Sequence, residues 1–242
     1  MVIEQVRDLI NNCNRIVVLS GSKVMFESGL KGIRQEEHAY DVESKYGYSP
    51  EEIVTEEFLN RRSDLFYKYY REDILDMKNL KPNDAHYAMA ELEKQGRLLS
   101  VITRSVYGLH TMAGVTKIIE LHGSVHGNYC KKCGRVYGPQ YIADSKDVPR
   151  CEQCRIMLMP GFALYGNTID NGLITKCADA VSRADMLLIV GSSTRSNLTS
   201  YMLRYYNGKN LVTVNDKPGE GDELADYTLY GKCSEIMPQI VK

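Results

Sequence analysis

IIELHGSVHGNYCKKC, residues 118–133, carries the most specific signal in the chain. It opens as a short apolar run, presents His122 in a Leu-His-Gly turn, and runs into the first half of a four-cysteine set. Cys130 and Cys133 are spaced C-x2-C, and seventeen residues separate them from Cys151 and Cys154, again C-x2-C. That spacing is the pattern of a structural zinc site. Four thiolates satisfy Zn²⁺ tetrahedrally at about 2.3 Å and leave no position for water, so such a site builds structure and performs no chemistry. Four cysteines that are paired or idle form the weaker alternative.

The chain of 242 residues is long enough for one large domain with an inserted lobe, or for two small domains. A hydrophobic content of 43% permits a sizeable core and argues against wholesale disorder. A net charge of −1 gives no electrostatic footprint for nucleic acid or for an anionic membrane. The longest apolar runs, such as MLLIV at 186–190, are far too short to span a bilayer. Glu4, Arg7 and Asp8 lie within an amphipathic N-terminal pattern that does not read as a signal peptide. Cys13, Cys177 and Cys233 are odd in number and without framework spacing, and free thiols beside a thiolate zinc site point to a reducing compartment. A cytoplasmic protein is expected.

Val2, Val6, Leu9, Ile10 and Cys13 recur at helical spacing over 2–13. IVVLSGS (16–22) follows as a buried strand running into a glycine, and 23–48 reads as a long loop of the kind that is functional or mobile. Ser49-Pro50-Glu51-Glu52 is a capping box that opens a helix through about Leu59. A second helix, about 63–77, carries Phe66, Tyr67, Tyr69 and Tyr70, which read as packing rather than ligand contacts. A third runs from Pro82-Asn83 to Gly96, a natural residue for its C-terminal turn. LLSVIT (98–103), TKIIEL (116–121), MPGFALYG (159–166), DMLLIVGSS (185–193) and LVTVN (211–215) then read as short strands, with helices at about 170–183 and 197–207. Apolar strands alternating with helices predict an α/β fold, a mostly parallel sheet covered on both faces. The hydrophilic segment 125–157 reads as an insertion stapled by metal.

Gly21-Ser22-Lys23 after the first strand is not G-x-G-x-x-G, and alone it signals little. The order of motifs is more specific. Gly21, Ser28-Gly29 and Arg34 are followed by Pro82-Asn83 and His86, Thr103 and Gly108-Leu109-His110. Then come Glu120-Leu121-His122-Gly123, the four cysteines, Pro160, Tyr165-Gly166, Gly191-Ser192-Ser193 and Val214-Asn215. Over nearly its full length the chain resembles the sirtuins, NAD-dependent protein-lysine deacylases.

The resemblance implies a Rossmann-like domain from 1–30, 80–124 and 158–242. It implies a small lobe made of a helical module, 31–79, and a four-cysteine zinc ribbon, 125–157. NAD and an acyl-lysine peptide would meet in the cleft between them. His122 stands at the family's general-base position. Gly21, Ser22, Lys23, Arg34, Arg104, Ser105, Gly191, Ser193 and Asn215 stand where the family contacts the cofactor. Tyr165, Gly166 and Asn167 stand where it walls the acyl-lysine tunnel. His86, His110 and His126 read as structural.

The departures from the family pattern are chemical. Lys23 replaces a glycine and brings a long cation to the phosphate loop. If the left-handed conformation were needed there, lysine would cost about 1–2 kcal/mol. Lys31-Gly32-Ile33-Arg34 keeps the arginine of Pro-Asp-Phe-Arg but loses the acid and the aromatic. Thr103-Arg104-Ser105-Val106-Tyr107 replaces Thr-Gln-Asn-Ile-Asp, so a carboxamide and a carboxylate that would hold nicotinamide give way to a shorter hydroxyl and a bulky phenol. Arg104 adds positive charge where cationic nicotinamide would sit. Tyr67 with Arg71 lacks the Tyr-x-x-Arg spacing of sirtuins that take acidic acyl groups, and no desuccinylase is expected. These changes favour a weak or inactive deacylase serving as a module that binds nucleotide, ADP-ribose or an acyl-lysine peptide or protein, with intact NAD binding poorly. The alternative is an active NAD-dependent deacylase, or another NAD-consuming transferase, with a remodelled pocket. Neither nucleic acid nor membrane is expected as a partner.

Overall fold

A computed structural model describes residues 2–32, 35–75 and 81–242. Its strands, in chain order, are β1 (Ile16–Ser20), β2 (Leu98–Thr103), β3 (Ile118–Glu120), β4 (Asn128–Tyr129), β5 (Val136–Tyr137), β6 (Met186–Val190), β7 (Asn210–Asn215) and β8 (Tyr227–Tyr230). Six of them form one all-parallel sheet in the order β3-β2-β1-β6-β7-β8, and β4 and β5 pair antiparallel. The α/β architecture follows from the strand sequences. Successive side chains point to opposite faces, so an unbroken apolar strand must be covered on both. In β1, Ile16 and Val18 pack with helices Val2–Asn12, Asp84–Lys94 and Cys233–Ile240. Val17 and Leu19 pack with Asn171–Ser182 and Asn197–Leu203 on the other side.

A third apolar cluster lies away from the sheet. It joins Val42, Ile53, Leu59, Phe66, Tyr67, Tyr69 and Tyr70 to Cys130, Tyr137, Cys151, Leu158 and Phe162, so the helical segment and the cysteine segment share one core. The aromatics are packing residues, as expected. Phe66, Tyr67 and Tyr70 are fully buried, and the phenols of Tyr67 and Tyr70 donate to the carbonyl of Leu158 and to Asn128 Oδ1 respectively. Arg71 is directed to Ser145 Oγ (3.2 Å) and the carbonyl of Asp147 (2.9 Å), so neither it nor Tyr67 lines the cavity described below.

Three expectations need correction. The segment 23–48 is not one loop: helices Ser22–Phe26 and Glu36–Tyr46 occupy most of it. The second has weak amphipathicity because only Val42 and Tyr46 are buried, yet Glu36 and Glu37 in its first turn and left-handed Gly47 at its end (φ 76°) suit a helix. The capping box at Ser49 is present, but its helix stops at Ile53, where Thr55 caps a new one, Glu56–Arg61, by accepting from Phe58 N. MPGFALYG is not a strand. Among the described residues its strand-like contacts are isolated pairings, Tyr129 with Met159, Gly123 with Phe162 and Thr55 with Tyr165, and they tie the sheet to the small lobe. Strand β8 and helix Cys233–Ile240 escaped the sequence reading. Met77, the expected end of the second helix, lies outside the described residues.

Candidate functional site

In open parallel sheets ligands bind beyond the carboxyl ends of the strands, where the strand order reverses. Here the reversal lies between β1 and β6, and the loops leaving both strands meet there. Gly21 caps the short helix Ser22–Phe26, its amide donating to Val190 O at 2.8 Å. Gly191, left-handed at φ 68°, accepts from the Lys23 amide at 3.2 Å. No side chain fits between these two turns, which lets their backbones meet at the carboxyl ends of β1 and β6.

A cavity of about 570 Å³ opens from this point. Gly21, Ser22 and Ser192 line one part, Arg104, Ser105, Tyr107 and His122 another, and Tyr165, Gly166 and Asn167 the far side. These ten residues, all singled out from sequence, therefore share one recess, although they come from five separate segments. Val54, Ile74, Val106, Phe162 and Leu164 complete it with apolar surface. Sequence reasoning missed these, because an apolar residue in a lobe reads as core until its neighbours are known.

His122 follows β3 in the left-handed turn at Gly123 (φ 67°), and its carbonyl accepts from Ala163 N at 2.7 Å. Burial lowers the pKa of its imidazole, and the positive charge of Arg104 lowers it further, so the ring is neutral at neutral pH. A neutral half-buried imidazole facing a cavity can accept a proton. The Ser105 amide donates to Thr103 Oγ1 at 3.0 Å. Burial, reinforced by the charge of Asp73, pushes the Tyr107 phenol up to about 12, and Tyr107 also packs on the small-lobe core.

Four cofactor-position residues do not line this recess. Lys23 is helical and carries no left-handed strain, and its amine pairs with Asp216. Gly191 acts through its backbone. Ser193 Oγ donates to Glu220 O and accepts from Arg195 N, both at 3.0 Å. Asn215 is buried at the end of β7, where Nδ2 donates to Ser192 O at 2.9 Å while Oδ1 has no donor among the described residues. Arg34 lies outside the described residues. An unpaired buried acceptor beside a glycine cradle fits a ligand that brings hydroxyl donors and phosphates, as a dinucleotide does.

His86 and His110 are held by hydrogen bonds within the fold, whereas His126 Nε2 is buried without a partner among the described residues. His86 Nδ1 accepts from Asn83 N at 3.2 Å and closes a capping box, and His110 Nε2 lies 2.9 Å from Ser20 Oγ. Gly108 packs its backbone directly on the His126 ring.

The sulfurs of Cys130, Cys133, Cys151 and Cys154 lie within 4.8 Å of one another. The Cys133–Cys151 separation of 3.7 Å matches the edge of about 3.8 Å for a tetrahedron with 2.3 Å Zn–S bonds. The two halves are built alike. Gly134 N donates to Cys130 O and Arg155 N to Cys151 O, each at 2.9 Å, and both donors are left-handed (φ 71° and 61°). The donor set is compatible with structural zinc. Among the described residues no helix is long and apolar enough to cross a membrane.

Comparison with known proteins bears on the same residues. The profile of the Sir2 family matches residues 21–197. The chain is 34% identical over 240 residues to the NAD-dependent protein deacetylase of Clostridium perfringens (strain 13 / Type A), covering 99% of this chain and 98% of that one. It is 30% identical to the NAD-dependent protein deacetylase of Clostridium acetobutylicum, with the same coverage. Among solved structures it is similar to one from a study of the structural basis of sirtuin substrate affinity, with TM-score 0.86, 28% identity and coverage of 99% and 98%. It is also similar to a structure of Sir2 with a p53 peptide and NAD+, with TM-score 0.78, 27% identity and coverage of 99% and 97%.

Proposed function

This chain belongs to the Sir2 family of NAD-dependent protein deacetylases, and from that membership we propose that it is an NAD-dependent protein-lysine deacylase with a rebuilt nicotinamide pocket. Of the two readings open from sequence, this is the alternative, and it has the stronger support. The observation that carries it is the continuous recess from Gly21 and Ser192, past His122, to Tyr165–Asn167. A closed or filled nicotinamide end would have favoured a pure binding module. The Lys23 amine does not fill that recess, because Asp216 holds it elsewhere.

In this reading Gly21, Ser22 and Gly191 hold the phosphates of NAD by backbone, and Asn215 Oδ1 takes a ribose hydroxyl. Bound there, NAD would supply an electrophilic ribose carbon, its bond to nicotinamide breaking as the acyl oxygen bonds to it. His122 would accept a proton from a hydroxyl of that ribose, and burial, aided by the charge of Arg104, keeps the imidazole neutral for the purpose. Val54, Phe162 and Leu164 exclude water around the acyl group, and Tyr165, Gly166 and Asn167 flank the peptide. The deacetylase names of the Clostridium relatives, and the peptide and NAD+ in the similar Sir2 structure, support these assignments. A reducing, cytoplasmic setting goes with them, as does division into the sheet domain and the two-part small lobe.

Ser105 and Tyr107 favour a second reading, a module that binds nucleotide or acyl-lysine peptide with little turnover. The two separate in one assay of the zinc-loaded protein with an acetyl-lysine peptide and NAD. Nicotinamide release matched by deacetylated peptide, and lost in His122→Ala, supports the deacylase. Calorimetric ADP-ribose binding without any turnover would transfer support to the module.

A further inference from the structure

We propose that His110 is a positioning residue: its hydrogen bond to Ser20 fixes the Arg104–Tyr107 loop against the Gly21 turn, and so sets how tightly the recess takes the nicotinamide half of a dinucleotide. The inference rests on the deacylase reading above and concerns a side chain that does not itself line the recess.

Two walls of the recess come from different strands. Ser20, Gly21 and Ser22 end or follow β1, whereas Arg104, Ser105 and Tyr107 follow β2. His110 sits just past the second wall, in the short helix Leu109–Met112 that begins after left-handed Gly108 (φ 70°). It is 2% exposed, and its Nε2 lies 2.9 Å from the Oγ of Ser20, itself 6% exposed. Ser20 is the last residue of β1, directly before Gly21. A second histidine reaches the far end of the same turn. His86 meets the His110 ring edge to face, and its Nδ1 accepts from Asn83 N. Asn83 Nδ2 in turn donates to Val24 O at 2.8 Å and to Ser28 Oγ at 3.0 Å. The turn is thus held before Gly21 by His110 and after it by Asn83, with the two imidazoles in contact between them.

Sheet pairing sets Ser20 opposite Thr103, but Arg104–Gly108 lie beyond the strand and have no ladder to place them. Two bonds fix this loop elsewhere. The Ser105 amide donates to Thr103 Oγ1, and Val106 O accepts from Val125 N at 2.8 Å, which refers the loop to β2 and to the small lobe. Neither refers it to Gly21. The His110–Ser20 bond does. It is shielded from water on both sides, so losing one partner strands the other. Without it the loop is free to shift, and a displacement of about 1 Å is enough to spoil a positioned site. ADP-ribose lacks nicotinamide and needs the Gly21 wall alone. Intact NAD must fit both walls at once, so the bond bears on one ligand and not on the other.

The test is calorimetric binding of NAD and of ADP-ribose to the zinc-loaded protein, with thermal melting to verify folding. Ser20→Ala, and His110→Phe, which keeps a ring, should each weaken NAD relative to ADP-ribose by about 10-fold, the scale of one buried hydrogen bond. The double variant should lose no more than either single one, because both remove the same bond. A lower melting temperature with an unchanged ratio, equal losses for both ligands, or losses that add in the double variant overturn the assignment. So does a wild type that binds ADP-ribose but not NAD, since it has no nicotinamide half to position. In each of these cases the nucleotide-binding reading stands and the inference alone is lost. If neither nucleotide binds the wild type, that reading falls and takes this inference with it.

Discussion

A Cβ placed on Gly21 would lie 2.3 Å from the carbonyl oxygen of Gly191, far inside van der Waals contact. The atom it meets is backbone, at the point where the turns leaving β1 and β6 touch, so nothing can swing aside. Glycine is required here by proximity rather than by backbone angle, since Gly21 itself is extended at φ −90°.

Gly21→Ala must therefore separate the two loops. Overpacking of this kind costs about 1–3 kcal/mol, to be read as a lower urea midpoint, and ADP-ribose affinity should fall with it. Unchanged stability and unchanged affinity would mean that the turns part without consequence.

Arg104→Gln should shift the acid limb of the deacylation pH profile. The folded-state pKa of His122 lies below its ordinary value through burial and through Arg104. Removing the charge raises that pKa toward the value burial alone would set, so the base is protonated at a higher pH. The acid limb of kcat/KM then moves up in pH, with little change on the alkaline side. A limb that stays in place, or moves down, would remove Arg104 from this role.

His86 and His110 should make the fold acid-sensitive. Their rings meet edge to face with 4.7 Å between centroids, and burial lowers their pKa values to about 4 and about 3. The unfolded state, titrating near 6.5, binds protons that the folded state refuses. Stability is thus full above that pH and declines as pH falls toward the folded-state values, by up to about 1.4 kcal/mol per pH unit for each histidine. Denaturation midpoints at pH 7, 6 and 5 should drop, and the drop should be shallower in His110→Asn, which cannot take the proton. Equal slopes in both proteins would contradict this.

Removal of zinc should unfold the small lobe. Cys130 and Cys151 are buried in the same cluster as Tyr67, Tyr70 and Tyr137, so the thiolates cannot separate without opening that core. Structural zinc contributes about 10–16 kcal/mol in small domains, far more than a ribbon with two two-residue strands can supply by itself. Chelation followed by metal analysis and circular dichroism is the check, and an unchanged spectrum after verified zinc loss would refute it.

Much of this was legible from sequence because it depends on local chemistry. The C-x2-C spacing implied a tetrahedral thiolate site, and unbroken apolar strands implied a sheet covered on both faces. Ser49-Pro50-Glu51-Glu52 announced its own capping box, and the order of motifs from Gly21 to Asn215 announced the family. Helix Glu36–Tyr46 was illegible because it buries only Val42 and Tyr46, too few to impose a period. MPGFALYG looked like a strand because its apolar residues do face a core, but that core belongs to the small lobe and gives them no sheet neighbour.

Residue type at short or regular spacing was enough to give the parallel sheet, the four-cysteine cluster and the family. The position of the Lys23 amine, by contrast, depends on the folded chain. Its partner, Asp216, is remote in the chain and comes within reach because β6 places the ends of β1 and β7 on either side of itself. The same holds for Arg104 beside His122 and for the apolar wall of Val54, Phe162 and Leu164. Charge and contact act over a few ångströms of space, and no pattern along the chain records which distant residues will share them.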